Sequence, residues 1–476
     1  MTVKTPLVRP VTEADRTFLS DESRLTGSAQ SISFPKNEAD ILSVLEALDA
    51  DRTPVTIQGG KTGISGGAVP LGGHILNLGR MNRVKSFCTT RGGRHLLRVE
   101  SGLTLFDLTR AVARLKTPTA LFWPPAPSET GATIGGVIAN AAGGLCARHY
   151  GEAEAHVEAL RVMNADGFVQ ELVRSGEDGF DTLMAACIGG EGMYGVVTEL
   201  TLRLLPKPAS TWGIAFFFED RGDGLAFARA ANGIAPPADA DVAAVESLDR
   251  ATIDGIAAHK DHLSAIRAVP DVASRADLLV YVEIHGDSEA AVEAVAENLM
   301  DLAVARHSDV DASWAFSGEM EMRPMHRFLH AAIETALLDL ESVRREHPAV
   351  VRLGIDFMLG SNDPAAFVEN LEKGLKQHGL SGNFLGHIGR GRLHLNMRPR
   401  DEKEYGNGCG LLEQWAENCP ALTAGAVKAY GVGKLNKHLF RRAASPEQVD
   451  RLVRLKQHLD PGRRWNPGNM IDRPFE

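Results

Sequence analysis

Apolar and polar positions follow two periods along the first 208 residues, and the change of period divides the segment. Behind Pro35 and Asn37, Ile41, Val44, Leu45 and Leu48 recur at helical spacing, which predicts a helix. Pro54–Gln58 and His74–Leu78 read as strands on either side of a glycine-rich loop. Leu96–Val99 reads as another strand and Thr104–Leu115 as an amphipathic helix. Strand and helix therefore alternate over residues 30–115, as in an α/β unit. The helix expected at Thr133–Ala142 is short and built of small residues, so something packs closely against it. From His156 the period shortens to two. Val157–Met163 and Phe168–Val173 flank Asp166-Gly167, a hairpin signal, and Val196, Thr198, Leu200, Leu202 and Leu204 share one face of a strand. Pro206 and Pro208 end that strand and mark a domain boundary.

Beyond the boundary, strands at Gly213–Phe218 and Leu278–Ile284 mix with alanine-rich helices at Glu289–Leu302 and Met325–Arg345, which reads as α+β. A charged helix, Pro446–Leu459, precedes the turns Asp460-Pro461-Gly462 and Asn466-Pro467-Gly468. No 18-residue apolar run and no leader pattern is visible, so a cytoplasmic location is expected. A net charge of −10 argues against non-specific nucleic-acid binding. The five cysteines lack C-x-x-C spacing, so they are expected to be buried free thiols rather than cluster, haem or zinc-ribbon ligands.

The glycines crowd into three segments: residues 59–73, 131–144 and 189–195. The first, Gly59-Gly60-Lys61-Thr62-Gly63-Ile64-Ser65, follows a strand, and such a loop can aim several amides at a phosphate pair. Gly60-Lys61-Thr62 resembles the end of a P-loop, but Val55 stands where that motif requires glycine. A structural turn without a ligand stays open, although so many glycines are costly unless the backbone must be exposed. Pro124–Gly136 and Gly189–Val197 are moderately specific singly and much more so in this order.

Together the three segments resemble the FAD-binding domain of the vanillyl-alcohol-oxidase superfamily, and the C-terminal half resembles its D-lactate, glycolate and D-2-hydroxyglutarate dehydrogenase branch, from about Ser31 to Ile471. The resemblance implies an α+β protein: an N-terminal extension (1–30) and an FAD-binding domain of two α/β subdomains (31–208). A substrate domain on an antiparallel sheet (209–420) and a segment returning to the FAD domain (421–476) complete it. It implies that Gly59–Ser65 wrap the FAD pyrophosphate, with Pro125, Gly131, Thr133, Gly135, Gly136, Asn140, Gly192, Val197 and Asn466 also along the cofactor. Covalent members carry a histidine in the first loop. Here Lys61 occupies that neighbourhood and His74 lies beyond it, so non-covalent FAD is expected.

The substrate end is Gly386-His387-Ile388-Gly389-Arg390-Gly391-Arg392-Leu393-His394-Leu395-Asn396. On a strand over Leu393–Met397, His394 and Asn396 point the same way, and His387 can swing to meet His394. Two imidazoles and an amide suit a metal or a substrate oxygen; a hydrogen-bonded structural pair is the alternative. In the resembled family the histidines bind a divalent metal and the asparagine touches substrate. Three departures from that pattern matter here, the first two against the metal and the third at the substrate carboxylate. The family's Glu-His pair before a G-x-G turn is replaced by Ala429-Tyr430 before Gly431-Val432-Gly433. Arg390 and Arg392 stand where relatives have Asp and Asn. The usual carboxylate-binding arginine and lysine align with His330 and with Leu353 or Gly354, while a one-turn shift would restore Arg327.

Two ligands without a carboxylate hold zinc weakly, so His387 and His394 are expected to be metal-free. The expected reaction is oxidation of a small 2-hydroxy acid by hydride transfer to flavin, with Tyr430, His387 or His394 as base, Asn396 as orienter and Arg390 with Arg392 as anion site. The expected partners are an anionic substrate and an external acceptor (quinone, electron-transfer flavoprotein, cytochrome or oxygen), with a homodimer left open. The alternatives are a same-fold flavoenzyme for another substrate and a non-catalytic electron-transfer subunit.

Overall fold

The computed structural model describes residues 7–49, 53–125, 127–174, 182–234, 239–419 and 431–471. The chain divides into two compact units. The first takes in the described residues of Met1–Gly144, Glu152–Lys207 and Val427–Glu476, and the second those of Leu145–Gly151 and Pro208–Ala426.

In the first unit, β1 (Arg9–Pro10), β2 (Ser31–Ser33), β3 (Val55–Gln58) and β4 (His74–Asn77) form a sheet ordered β1-β2-β4-β3, its last three strands parallel. The helix Glu38–Asp49 lays Ile41, Val44, Leu45 and Leu48 on this sheet beside Val55, Leu76 and Trp465, and each is at most 7% exposed. Burying such side chains is worth about 1.5–3 kcal/mol apiece. A second sheet holds β5 (Val84–Thr89), β6 (His95–Glu100), β8 (Val157–Met163), β9 (Val169–Val173) and β10 (Val196–Pro206), with β7 (Leu121–Phe122) against the end of β10. All its pairings are antiparallel, so Leu96–Val99 does not continue the α/β unit but crosses into this sheet. The alternation along β10 is as the sequence reads, with Val196, Thr198, Leu200, Leu202 and Leu204 buried.

The C-terminal residues close the open edge of β3. Trp465 bridges Val55 in parallel; the Val55 amide donates to Arg464 O at 2.7 Å and the Asn466 amide to Val55 O at 2.9 Å. Asp460, fully buried, shapes this turn by accepting from the Arg464 and Trp465 amides at 2.9 Å each and from the Lys456 ammonium at 2.7 Å.

The second unit is built on one sheet of β11 (Ser210–Phe218), β12 (Ala240–Asp249), β13 (Leu278–Gly286), β14 (Trp314–Ser317), β15 (Leu353–Met358), β16 (Gly382–Gly386) and β17 (Arg392–Met397). Its order is β14-β11-β13-β12-β16-β17-β15, every pairing antiparallel. The helix Gly318–Arg344 packs Met325, Phe328, Ala331 and Ala332 against Leu248, Ile253, Ile256 and Leu279. Asp249 ends β12 and caps the next helix, accepting from the Thr252 amide and, through its other oxygen, from the Phe384 amide of β16, each at 2.8 Å. The residues Leu145–Gly151, read from sequence as part of the first domain, pack with this second unit. Of the five cysteines only Cys187 is buried, and Cys88 is exposed on β5, so the expectation of buried thiols fails there.

Candidate functional site

Strand pairing in the second unit brings the sequence-predicted histidines together. On β17, His394 lies opposite Asp356 of β15 and Leu385 of β16. β16 ends at Gly386, and the chain then turns through Ile388–Arg390 with Gly391 at φ 64°. The turn sets the His387 ring perpendicular to that of His394, their centroids 5.3 Å apart.

Each imidazole has its own carboxylate. His394 Nδ1 meets Asp356 Oδ1 at 2.5 Å, and His387 Nδ1 meets Glu246 Oε1 of β12 at 2.8 Å. The proton balance of the two rings differs. Burial pushes the His394 pKa below its ordinary value despite Asp356, with the neighbouring His387 adding to the effect. Burial opposes charge on His387 as well, yet the adjacent Glu246 carboxylate outweighs it and raises its pKa. The site therefore sets an imidazole that resists protonation beside one that favours it. Since Nδ1 of His394 donates to a carboxylate, its Nε2 is the basic nitrogen.

Asn396 is two residues along β17 on the same face. Its Oδ1 accepts from Arg352 Nη2 at 2.9 Å, and because a guanidinium only donates, the amide orientation is fixed. Asn396 Nδ2 is buried and has no acceptor among the described residues. Arg352 reaches this place over Gly354, which is opposite Asn396; a Cβ at 354 would stand 3.0 Å from the guanidinium. The missing side chain at 354, one of the two positions aligned with the relatives' lysine, thus makes room for another cation. Arg390 and Arg392 flank the turn, and both of their amides donate to His387 O. Burial and the neighbouring Arg392 push the Arg390 guanidinium down to about 9. Two crowded cations are relieved by an anion between them.

From the helix Gly318–Arg344 it is His326 that reaches the sheet, its Nε2 2.7 Å from Glu283 Oε2. Arg327, which a one-turn shift would bring to the carboxylate site, is exposed on that helix. His330 is half-buried on the same helix. Sequence reading missed Glu246, Glu283, His326 and Arg352. Ala429 and Tyr430 lie outside the described residues. His387 and His394 are joined by no third cysteine, histidine, aspartate or glutamate in ligand range among the described residues, so the donor set does not complete a zinc site there.

The first unit carries the candidate cofactor loop. Among the described residues, none of the amides from Gly59 to Ser65 donates a hydrogen bond to the protein. Seven consecutive unsatisfied donors at the end of a strand form a nest for a pyrophosphate. Gly59 packs on Thr133, where a Cβ would lie 2.1 Å from Oγ1. Thr133 in turn caps the helix Ile134–Ala139, accepting from the Gly136 amide at 3.3 Å. Gly131 approaches Gly60, the Gly135 amide donates to Ser101 O, and Asn140 caps the other end of that helix. Pro125 is buried, and a register irregularity falls between Val197 and Glu199.

The side chains of two residues expected along the cofactor make contacts within the protein. The Lys61 ammonium donates to Thr17 O at 2.5 Å and lies 4.6 Å from the Phe18 ring centroid, so its side chain is anchored on the N-terminal segment. Asn466 ties strands together: Oδ1 accepts from the Ile57 amide and Nδ2 donates to Glu191 O, each at 2.6 Å, beside Gly192. The Glu191 carboxylate accepts from the Val432 and Gly433 amides, which fastens the G-x-G turn to this unit. His74 is sandwiched by Ser31 Oγ at 2.8 Å and Ser33 Oγ at 2.7 Å, both ring nitrogens engaged, and burial pushes it down to about 4.

Comparison with known proteins agrees with both halves. Residues 29–172 match the FAD binding domain family, and residues 216–470 match the C-terminal domain of FAD linked oxidases. Similar proteins include D-lactate dehydrogenase of Anaerostipes hadrus, 25% identical over 471 residues covering 96% of this chain and 93% of the relative. The mitochondrial D-2-hydroxyglutarate dehydrogenase of Arabidopsis thaliana is 26% identical, covering 94% of this chain and 75% of the relative. Glycolate oxidase subunit GlcD of Escherichia coli is also 26% identical, covering 92% and 83%. Among solved structures, 4-ethylphenol oxidase from Gulosibacter chungangensis superposes with TM-score 0.70 at 17% identity, over 98% of this chain and 95% of that one.

Proposed function

Because the chain belongs to the FAD-linked oxidases, we propose that it oxidises a small 2-hydroxy acid to the 2-oxo acid, with non-covalent FAD and no metal at His387 and His394. When bound, FAD supplies the two-electron acceptor for the hydride leaving C2. The observation that carries the reading is the pairing of His394, held by Asp356 and lowered in pKa by burial, with Asn396 on one buried strand face, where Arg352 reaches the Asn396 amide. His394 Nε2 takes the hydroxyl proton while Asp356 holds the ring in that tautomer and offsets the imidazolium formed. Asn396 Nδ2 donates to a substrate oxygen, and Arg352, Arg390 and Arg392 receive the carboxylate. Of the base candidates the sequence offers, His394 is favoured, since burial lowers its pKa whereas the Glu246 carboxylate raises that of His387 against burial.

Non-covalent attachment is supported by His74, whose two ring nitrogens are occupied by serines. Among the described residues no helix is long and apolar enough to cross a membrane. We place the protein in the cytoplasm, with reoxidation by an external quinone, electron-transfer flavoprotein, cytochrome or oxygen.

The anion site gives a direct test. Arg352→Ala and Arg392→Ala should each raise the KM for a 2-hydroxy acid tenfold or more, the loss of a charge-assisted contact worth about 1.5–3 kcal/mol. The matching uncharged alcohol should be affected by neither change. An unchanged KM for the acid in both variants contradicts this assignment.

A further inference from the structure

We infer that Cys146, Glu283 and His285 form a site for one zinc-like divalent cation, distinct from the His387–His394 pair. Their ligand atoms, one thiol sulfur, one carboxylate oxygen and one ring nitrogen, all lie within 4.8 Å of one another, with Glu283 and His285 buried and Cys146 half-buried. Glu283 Oε1 is the common neighbour, 3.4 Å from Cys146 Sγ and 2.8 Å from His285 Nε2. Glu283 and His285 are two apart on β13 and so share a face.

The surroundings hold each ligand as a metal site requires. His285 Nδ1 lies 2.8 Å from the Tyr150 hydroxyl, which leaves Nε2 for the cation. Glu283 turns its second oxygen to Tyr281 OH at 2.9 Å and His326 Nε2 at 2.7 Å, leaving Oε1 aimed at the thiol. Cys146 and Tyr150 bracket a single helical turn, Ala147–Tyr150, so one short segment brings both a ligand and the group that orients another. Arg148 fixes that segment to the second unit through Asn232 Oδ1 at 2.6 Å and Asn232 O at 3.0 Å.

The donor types select the ion. A mixed S, N, O set suits zinc or cobalt and disfavours magnesium and calcium, which want oxygen alone. Thiolate, carboxylate and neutral imidazole together balance a divalent charge, so the filled site is electroneutral. Binding at Nε2 requires the His285 ring proton on Nδ1, where it donates to the Tyr150 hydroxyl, and releases the thiol proton to solvent. Three protein ligands leave a fourth position for water or another small donor.

The test uses the full-length holoprotein, stripped with a chelator, loaded with one equivalent of zinc chloride and desalted. About one zinc per chain should remain, and X-ray absorption at the zinc edge should show a sulfur neighbour at about 2.3 Å. Cys146→Ser should lose the sulfur neighbour and weaken binding at least tenfold while the flavin spectrum is kept. His285→Gln should weaken binding similarly but retain the sulfur neighbour at saturating zinc, and His394→Ala and Cys88→Ser should leave both readouts unchanged. Absence of retained zinc, a shell without sulfur, or a sulfur shell that persists in Cys146→Ser overturns the assignment. So does zinc retention that depends on His394.

Discussion

Gly59→Ala is expected to yield a folded protein with less than about a tenth of its flavin. The added methyl would stand 2.1 Å from Thr133 Oγ1, far inside contact distance, and Thr133 cannot simply rotate away. Its hydroxyl caps the helix Ile134–Ala139, and losing that cap costs about 1 kcal/mol in its own right. The loop must move instead, and with it the row of amides from Gly59 to Ser65. An overpacked contact costs about 1–3 kcal/mol, which at 1.4 kcal/mol per decade lowers cofactor affinity by about five- to a hundredfold or more. The ratio of flavin absorbance to protein absorbance after desalting measures it. Thr133→Ala in the same background removes the clashing oxygen and should recover part of the flavin. A Gly59→Ala protein with full flavin content would mean that the loop does not hold the cofactor.

His394→Ala is expected to lower kcat by about 10²- to 10⁴-fold, the range for losing a positioned base. Flavin content should not change, since His394 belongs to the second unit and the phosphate nest to the first. The pH profile separates a base from a structural role. In the wild type His394 must be neutral, and its pKa is lowered, so activity is lost only as pH falls below the ordinary imidazole range near ~6.5. His387 contributes as a cation, and its pKa is raised, so that contribution is lost as pH rises above the same range. The two shifts widen the plateau between the limbs of a bell-shaped kcat/KM curve. In His394→Ala the acidic limb should vanish while the basic limb stays. Retention of both limbs would assign the acidic one elsewhere.

The flavin half of the molecule was readable in sequence because its signals are local. Glycines that expose a run of amides must be contiguous, and the strand before them is marked by Val55-Thr56-Ile57. The helix at Glu38–Asp49 and the strand at Val196–Pro206 each bury one face, so period alone reveals them. β12 shows no such period. It is central between β13 and β16 and all but one of its residues are buried, so Glu246 and Asp249 sit in the interior although they are charged. Their reason is non-local: Glu246 answers His387, and Asp249 answers the amides of Thr252 and Phe384. β5 was missed for the opposite reason, since nearly every residue of this edge strand is exposed.

The same limit explains the site. His387, His394 and Asn396 belong to one short motif and were found together. Arg352 was invisible because its use depends on an absence: it lies across the strand to Asn396 in room that a side chain at position 354 would crowd. His326 was missed because the helical face toward the sheet is set by packing of Met325 and Phe328, not by the polar pattern.

The most direct measurement of the central claim is anaerobic mixing of the purified holoprotein with each enantiomer of a series of 2-hydroxy acids, followed at the flavin's long-wavelength band. The account predicts single-turnover loss of that band with one enantiomer of a small acid, slowed when C2 carries deuterium. A flavin that stays oxidised with every 2-hydroxy acid, yet bleaches with a chemical reductant, would contradict it.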